Sequence, residues 1–300
     1  MNTENHTVAV IGLGSMGMGA ARSCIKAGLN TYGVDINNDT LQTLKESGAI
    51  GVSKDCIDFA HELDSILLLV VNAKQVKKIL FEDNLADNLR PDTAVMVSAT
   101  ISADDARQIE VQLKERNLIM LDAPVSGGAA KAERGEMTIM ASGSDQVFDK
   151  LKPVLDATGD KVYRIGSEIG MGATVKIIHQ LLAGIHIAAG AEAMAMAARS
   201  NIPLDLMYEV VTNAAGNSWM FENRMKHVVD GDYTPKSMVD IFVKDLGLVT
   251  DTAQSINFPL HLGSTPFQMF TSASNAGHGL EDDSAVIKIF KGIDLPEKDE

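Results

Sequence analysis

The chain has 300 residues, enough for two ordinary domains, and its 45% hydrophobic and 22% charged content is a normal globular balance. A formal net charge of −14 with no basic run excludes the clustered Lys and Arg that a nucleic-acid or anionic-membrane surface needs, and the excess acid reads as a solvated face. Two cysteines are present, and Cys24, among apolar neighbours in an expected helix, reads as a buried thiol rather than a disulfide partner or a nucleophile.

The chain opens without a basic region followed by an apolar stretch, so no secretion signal is expected and the cytoplasm is the expected compartment. Short β-branched runs then recur: TVAVIG at 7–12, TYGVD at 31–35, SILLLVV at 65–71, AVMVSA at 94–99, LIMLDAPV at 118–125 and MTIMASG at 137–143. Most are apolar on both faces, as strands of a parallel sheet covered by helices are. The segments between them, such as 103–116, have helical period and polar faces, which is the βαβ rhythm of a doubly wound domain.

That rhythm stops near Gly166. Residues 172–200 are almost unbroken helix former, roughly 40 Å of helix at about 1.5 Å per residue, and Pro203 ends them. The most apolar part, 181–198, contains His186 and Glu192 and is rich in Ala and Gly, so it reads as a core or interface helix rather than a membrane span. Its small residues allow close helix packing, and a homo-oligomer, dimer or tetramer, is expected. Further helices are expected at 204–213, 218–229, 238–255 and 265–276, with no strand pattern among them. The tail, 297–300, has the composition of a disordered segment. The expected fold is α/β: a Rossmann domain with a doubly wound parallel sheet over 1–165, then an all-α substrate and dimerisation domain over 166–300.

The first strand runs into GLGSMG, in which Gly12, Gly14 and Gly17 form a GxGxxG with Leu13, Ser15 and Met16 between them. Such a glycine pattern carries meaning only between a strand and a helix, which is where this one stands. Gly12 permits the tight turn, Gly14 lets a pyrophosphate approach the backbone, and Gly17 lets the helix pack on the strand. The N-terminus of that helix offers N–H groups to phosphates. Asp35 closes the second strand, where an acid accepts hydrogen bonds from the adenosine ribose hydroxyls. The next nine residues contain no Arg or Lys to hold a 2′-phosphate, so NAD is expected rather than NADP.

Two further segments could carry chemistry. DAPVSGG, at 122–128, ends a strand, and Ser126, Gly127 and Gly128 form either a plain turn or a small anion-binding concavity suited to a carboxylate. Lys176 lies in GMGATVKIIHQ at the start of the long helix, between apolar Val175, Ile177 and Ile178. It is either a snorkelling side chain or a base whose pKa is lowered by desolvation. Gln180 lies one turn later on the same helix face, beside His179. No His/Asp/Glu cluster has metal-ligand spacing, so no metal is expected.

GLGSMG, DAPVSGG, the GxGxxxK ending at Lys176 and KDLGL at 244–248 follow one another in an order and spacing that resemble the β-hydroxyacid dehydrogenase family, which includes 3-hydroxyisobutyrate dehydrogenases and tartronate semialdehyde reductases. The resemblance covers essentially the whole chain. It implies that Lys176 is the catalytic lysine, that Ser126, Gly127 and Gly128 hold the substrate carboxylate, and that Lys244 reaches the cofactor side of the domain cleft. It also implies that Thr100 lies beside the nicotinamide ribose, and that Val70 and Val71, where many members have Leu-Pro, pack on the cofactor. Gln180 departs from the family's usual Asn, and Ala99 from its usual Ser. The helix start KIIHQLLAG and the stretch over 223–249 are most similar to the L-threonate dehydrogenases within the family.

The expected reaction is therefore NAD-dependent oxidation of a small hydroxy acid, with Lys176 as general acid and base and with His179 or Gln180 reading the extra hydroxyls of a sugar acid. Close rivals are 3-hydroxyisobutyrate, 4-hydroxybutyrate with its semialdehyde, and glycerate with tartronate semialdehyde. A non-catalytic nucleotide-binding module, or an imine reductase of similar architecture, is expected to have replaced the lysine.

Overall fold

The computed structural model describes residues 6–298. The opening residues read for a leader, 1–5, and the last two of the polar tail, 299 and 300, lie outside them. Lys298, within that tail, pairs with Asp232 at 2.9 Å. The chain divides into two compact units, one ending at Lys176 and the other beginning at Ile177.

The first unit is built on strands β1 (Thr7–Ile11), β2 (Asn30–Val34), β3 (Gly51–Ser53), β4 (Ser65–Leu68), β5 (Ala94–Val97), β6 (Ile119–Asp122), β7 (Val125–Ser126), β8 (Met137–Ser142) and β9 (Gly159–Gly166). They form one sheet in the order β3-β2-β1-β4-β5-β6-β8-β7, with β9 also on β8. Strands β1 to β6 are parallel to one another, which places their carboxyl ends along one edge of the sheet. Both faces are buried, as the apolar runs require. Val8 and Val10 of β1 belong to one core cluster, and Ala9 and Ile11 to a second on the opposite face. Met96 and Val97 of β5 divide in the same way.

Helices α1 (Gly17–Lys26), α2 (Asn38–Glu46), α3 (Ala73–Lys77), α4 (Leu85–Asn88), α5 (Ala103–Lys114), α6 (Gly128–Glu133) and α7 (Asp145–Thr158) connect the strands. Asn37, Ser102 and Ser144 cap α2, α5 and α7 by accepting backbone N–H groups two or three residues on. Cys24 and Cys56 are buried, and burial pushes both thiols up to about 12, far from a reactive thiolate.

The sheet is not parallel throughout. β8 runs antiparallel to β6 and β7, and its pairing with β6 is a single residue pair, Asp122 opposite Ser142. β3, β7 and β9 are not among the strands expected from the sequence, although the run expected over 118–125 reaches Val125 of β7. β7 has two residues, and β9 is exposed or half-buried along its length, so neither carries a hydrophobic pattern.

The long helix is α8 (Met171–Arg199), and the division between the units falls inside it. By length and composition alone α8 could cross a membrane, but half of its most apolar window is buried within the protein, as in a core helix. The second unit continues with α9 (Leu204–Thr212), α10 (Trp219–Val229), α11 (Val239–Ser255) and α12 (Ser264–Ala273). The glycines of α8 let larger side chains approach its backbone. A Cβ on Gly184 would lie 2.9 Å from Leu246, and one on Gly190 would lie 3.0 Å from Phe221. Small residues thus serve packing inside the unit, while Ile178, Leu182 and Met196 of α8 are exposed.

Candidate functional site

The glycine loop joins β1 to α1. Gly12 has φ +88°, and a Cβ there would meet the Leu69 carbonyl oxygen at 2.7 Å and Val70 at 3.1 Å. A Cβ on Gly17 would lie 1.7 Å from the Gly12 carbonyl oxygen, so only glycine lets α1 start this close to the strand. Around Gly14, by contrast, the position of a Cβ has nothing within 4 Å, and Gly14 and Ser15 face solvent. This is open backbone at a helix start, the shape a pyrophosphate requires. Leu13 is buried and Met16 packs against the core, so neither presents its side chain to the loop's outer face.

Asp35 follows β2, and its carboxylate is already oriented. One oxygen accepts the Leu13 N–H at 2.7 Å and the other the Asn37 N–H at 2.9 Å. The acid is thereby tied to the glycine loop, with lone pairs left on each oxygen for hydroxyl donors.

Val70 and Val71 follow β4 and Thr100 follows β5, at the carboxyl ends of neighbouring strands, while Ser126 ends β7, the short strand that follows β6. Ser98 donates to the Ala123 carbonyl at 2.8 Å and so fastens the end of β5, just before Thr100, to the end of β6. Val71 donates its N–H to Gln75 at 2.8 Å. After Ser126 the backbone takes φ +130° at Gly127 and +70° at Gly128, two successive positions that glycine occupies without steric cost.

The N-terminus of α8 docks on the same strand ends. Asp122 accepts the N–H groups of Gly170 and Ala173, each at 2.9 Å, and the Ser142 hydroxyl at 3.2 Å. Ser142 in turn accepts the Gly172 N–H at 3.0 Å. Burial pushes the Asp122 carboxyl up to about 6 against the pull of these donors. Lys176, one turn further along, is only 7% exposed.

The remaining candidates lie in the second unit. Gln180 is buried and donates its amide N–H to Asp245 at 2.5 Å, while its amide oxygen meets His179 Nδ1 at 2.9 Å. An ionised carboxylate can only accept, so Asp245 fixes which way the amide points, and the amide oxygen then makes Nδ1 of His179 the donor. Lys244 pairs with the other Asp245 oxygen at 2.7 Å. Asp245, Asp122 and Ser142 are the polar residues of these sites that sequence reasoning missed. The one signal for Asp245 was its place beside Lys244 in KDLGL.

With this geometry in view, two families of known proteins match the chain. The NAD-binding domain of 6-phosphogluconate dehydrogenase matches residues 7–166, and the NAD-binding region of NADP-dependent 3-hydroxyisobutyrate dehydrogenase matches residues 170–290. The chain belongs to the 3-hydroxyisobutyrate dehydrogenase family. As a member it is an NAD-dependent hydroxy-acid dehydrogenase. A protein of Pectobacterium atrosepticum named L-threonate dehydrogenase is 72% identical over 99% of this chain and 98% of its own. One of Haemophilus influenzae with the same name is 69% identical over 99% of each. A solved structure from Salmonella typhimurium, named as a 3-hydroxyisobutyrate dehydrogenase, is 64% identical with a TM-score of 0.93, covering 95% of this chain and all of that one.

One of the family descriptions speaks of NADP and the other of NAD. We propose that Asp35 faces the adenosine ribose, where its carboxylate would repel a 2′-phosphate and so favour NAD. Two like charges about 4 Å apart near a protein surface repel by a few kcal/mol, so kcat/KM with NAD should exceed that with NADP by about 10²-fold. Steady-state kinetics with both cofactors measure this. Equal efficiencies would mean that Asp35 does not face the ribose.

Proposed function

We propose that this member of the 3-hydroxyisobutyrate dehydrogenase family oxidises L-threonate, with Lys176 as the general base. The observation that supports Lys176 most directly is its place: a buried lysine on the first turns of α8, whose N-terminus is fastened to the end of β6, the strand that pairs with β5 before Thr100 and leads on to Ser126. The glycine loop, Val70, Val71, Thr100, Asp35 and Lys244 would bind the cofactor. When bound, NAD supplies the acceptor for the hydride that leaves the alcohol carbon. The Ser126 hydroxyl and the N–H groups of Gly127 and Gly128 would hold the substrate carboxylate. Lys176 Nζ would take the proton of the reacting hydroxyl, and in the reverse direction would return it to the forming alcohol.

The choice of L-threonate is supported by the names of the relatives at 72% and 69% identity, and by the polar chain of half-buried His179 with buried Gln180 and Asp245 that begins within one helical turn of Lys176. Such groups suit a substrate with additional hydroxyls. The name carried by the Salmonella protein favours a second reading, 3-hydroxyisobutyrate, whose methyl group would leave these polar atoms without a matching partner. NAD reduction over a panel of C3 to C6 hydroxy acids separates the two. L-threonate should exceed 3-hydroxyisobutyrate in kcat/KM by at least about 10²-fold. The reverse order would remove L-threonate and leave the family and Lys176 untouched. We further propose a cytoplasmic enzyme that is at least a dimer, in keeping with the exposed Ile178, Leu182 and Met196 on α8.

A further inference from the structure

We infer that Asp122 and Ser142 are positioning residues for Lys176, acting through the N-terminus of α8. The inference rests on the reading of Lys176 as the general base. Its structural basis is the place where the parallel sheet first meets an antiparallel strand. The pairing of β6 with β8 sets Asp122 opposite Ser142, so that the two side chains stand next to each other at the strand ends. From there they hold three orphan donors of the helix start. Asp122 takes Gly170 and Ala173, and Ser142 takes Gly172.

The fit is close enough to require glycine on the helix side. A Cβ on Gly172 would lie 2.5 Å from the Met140 carbonyl oxygen and 2.7 Å from that of Asp122. Gly170 has φ +98°, and a Cβ there would meet the Ala103 carbonyl oxygen at 3.0 Å. The two glycines of GMGATVK therefore serve the docking of this helix. Gly172 precedes Lys176 by four residues and Ala173 precedes it by three, so the held turn lies directly below the lysine on the helix surface.

Asp122 also begins the segment that carries Ser126. One strand end thus sets both the helix bearing the base and the loop proposed to hold the carboxylate. An anion at a helix N-terminus is favourable for the helix dipole. Burial opposes this and pushes the carboxyl up to about 6. Positioning accounts for a buried carboxyl that accepts these N–H groups, because a small misplacement of a catalytic group costs far more in rate than in binding.

The test measures kcat, both KM values and NADH affinity by fluorescence for Asp122→Ala, Asp122→Asn and Ser142→Ala, each alone and combined with Lys176→Ala. Asp122→Ala should lower kcat by about 10²-fold and leave NADH affinity within about threefold, as a displaced base would. Asp122→Asn should recover kcat to within about tenfold of wild type, since its amide oxygen can accept the same N–H groups. Ser142→Ala should lower kcat by about tenfold, and it decides the matter with Asp122→Asn if Asp122→Ala does not fold. In the Lys176→Ala background none of these changes should alter the residual rate by more than about twofold, because they act through the lysine. The inference is overturned if kcat survives in Asp122→Ala, or in Ser142→Ala where that variant decides. It is equally overturned if the losses recur in full without the lysine, or if Asn rescues nothing. Should Lys176→Ala alone keep its turnover, the base assignment itself fails, and that result is distinct from the others.

Discussion

Lys176→Ala should lower turnover by about 10²–10⁴-fold, the usual loss when a positioned acid–base group is removed. NADH affinity should be nearly unchanged, because the glycine loop and Asp35 form their contacts without the lysine. The side chain is 7% exposed, so its truncation leaves a cavity and some loss of stability is expected. A thermal melt of the variant therefore accompanies the kinetics. The decisive comparison is kcat at saturating substrate in folded protein. If the variant retained a large fraction of wild-type turnover, Lys176 would be a packed side chain and the general base would have to lie elsewhere. A lysine that served only ground-state binding would instead raise KM and leave kcat intact.

How much of this was legible beforehand depends on how local each signal is. The glycine loop could be read because β1, the turn and α1 are contiguous, and each glycine answers a need set within a few residues or by the adjacent strand. Strands β1, β4 and β5 could be read because both of their faces are buried, which demands continuous apolar runs. Ser65 to Val71 read as one strand, yet β4 ends at Leu68 because the chain turns away there to bring Val70 against Gly12. The antiparallel placement of β8 had no signal, since one residue pair joins it to β6. The capping of α8 by Asp122 spans 48 and 51 residues, and Gln180 meets Asp245 across 65. A partner at that separation follows from tertiary placement and leaves no periodicity in the sequence. Gln180 itself was legible, because i and i+4 share a helix face. What holds its amide was not.

The partners of that amide lead to the second large effect expected. Gln180→Leu should reduce kcat/KM for L-threonate by about 10³-fold or more and reduce that for 3-hydroxyisobutyrate much less, so that the preference between them shrinks. Leucine nearly matches glutamine in volume, which keeps the helix packing but removes a donor to Asp245 and an acceptor for His179. Asp245 is 2% exposed and keeps Lys244 at 2.7 Å, so its charge remains paired and the variant should fold. The His179 ring, however, loses the acceptor that fixed its Nδ1 proton. Its tautomer is then no longer dictated, and a donor can replace an acceptor at Nε2. A substrate rich in hydroxyls feels both changes, whereas one with a methyl group in that place feels neither directly. The two kcat/KM values, measured on the same preparation with its melting temperature, decide the matter. Equal losses on both acids would show that Gln180 supports the site as a whole without reading the substrate. An unchanged preference with full activity would remove it from the site altogether, and would leave the Asp245–Lys244 pair as the polar feature of the second unit to be tested next.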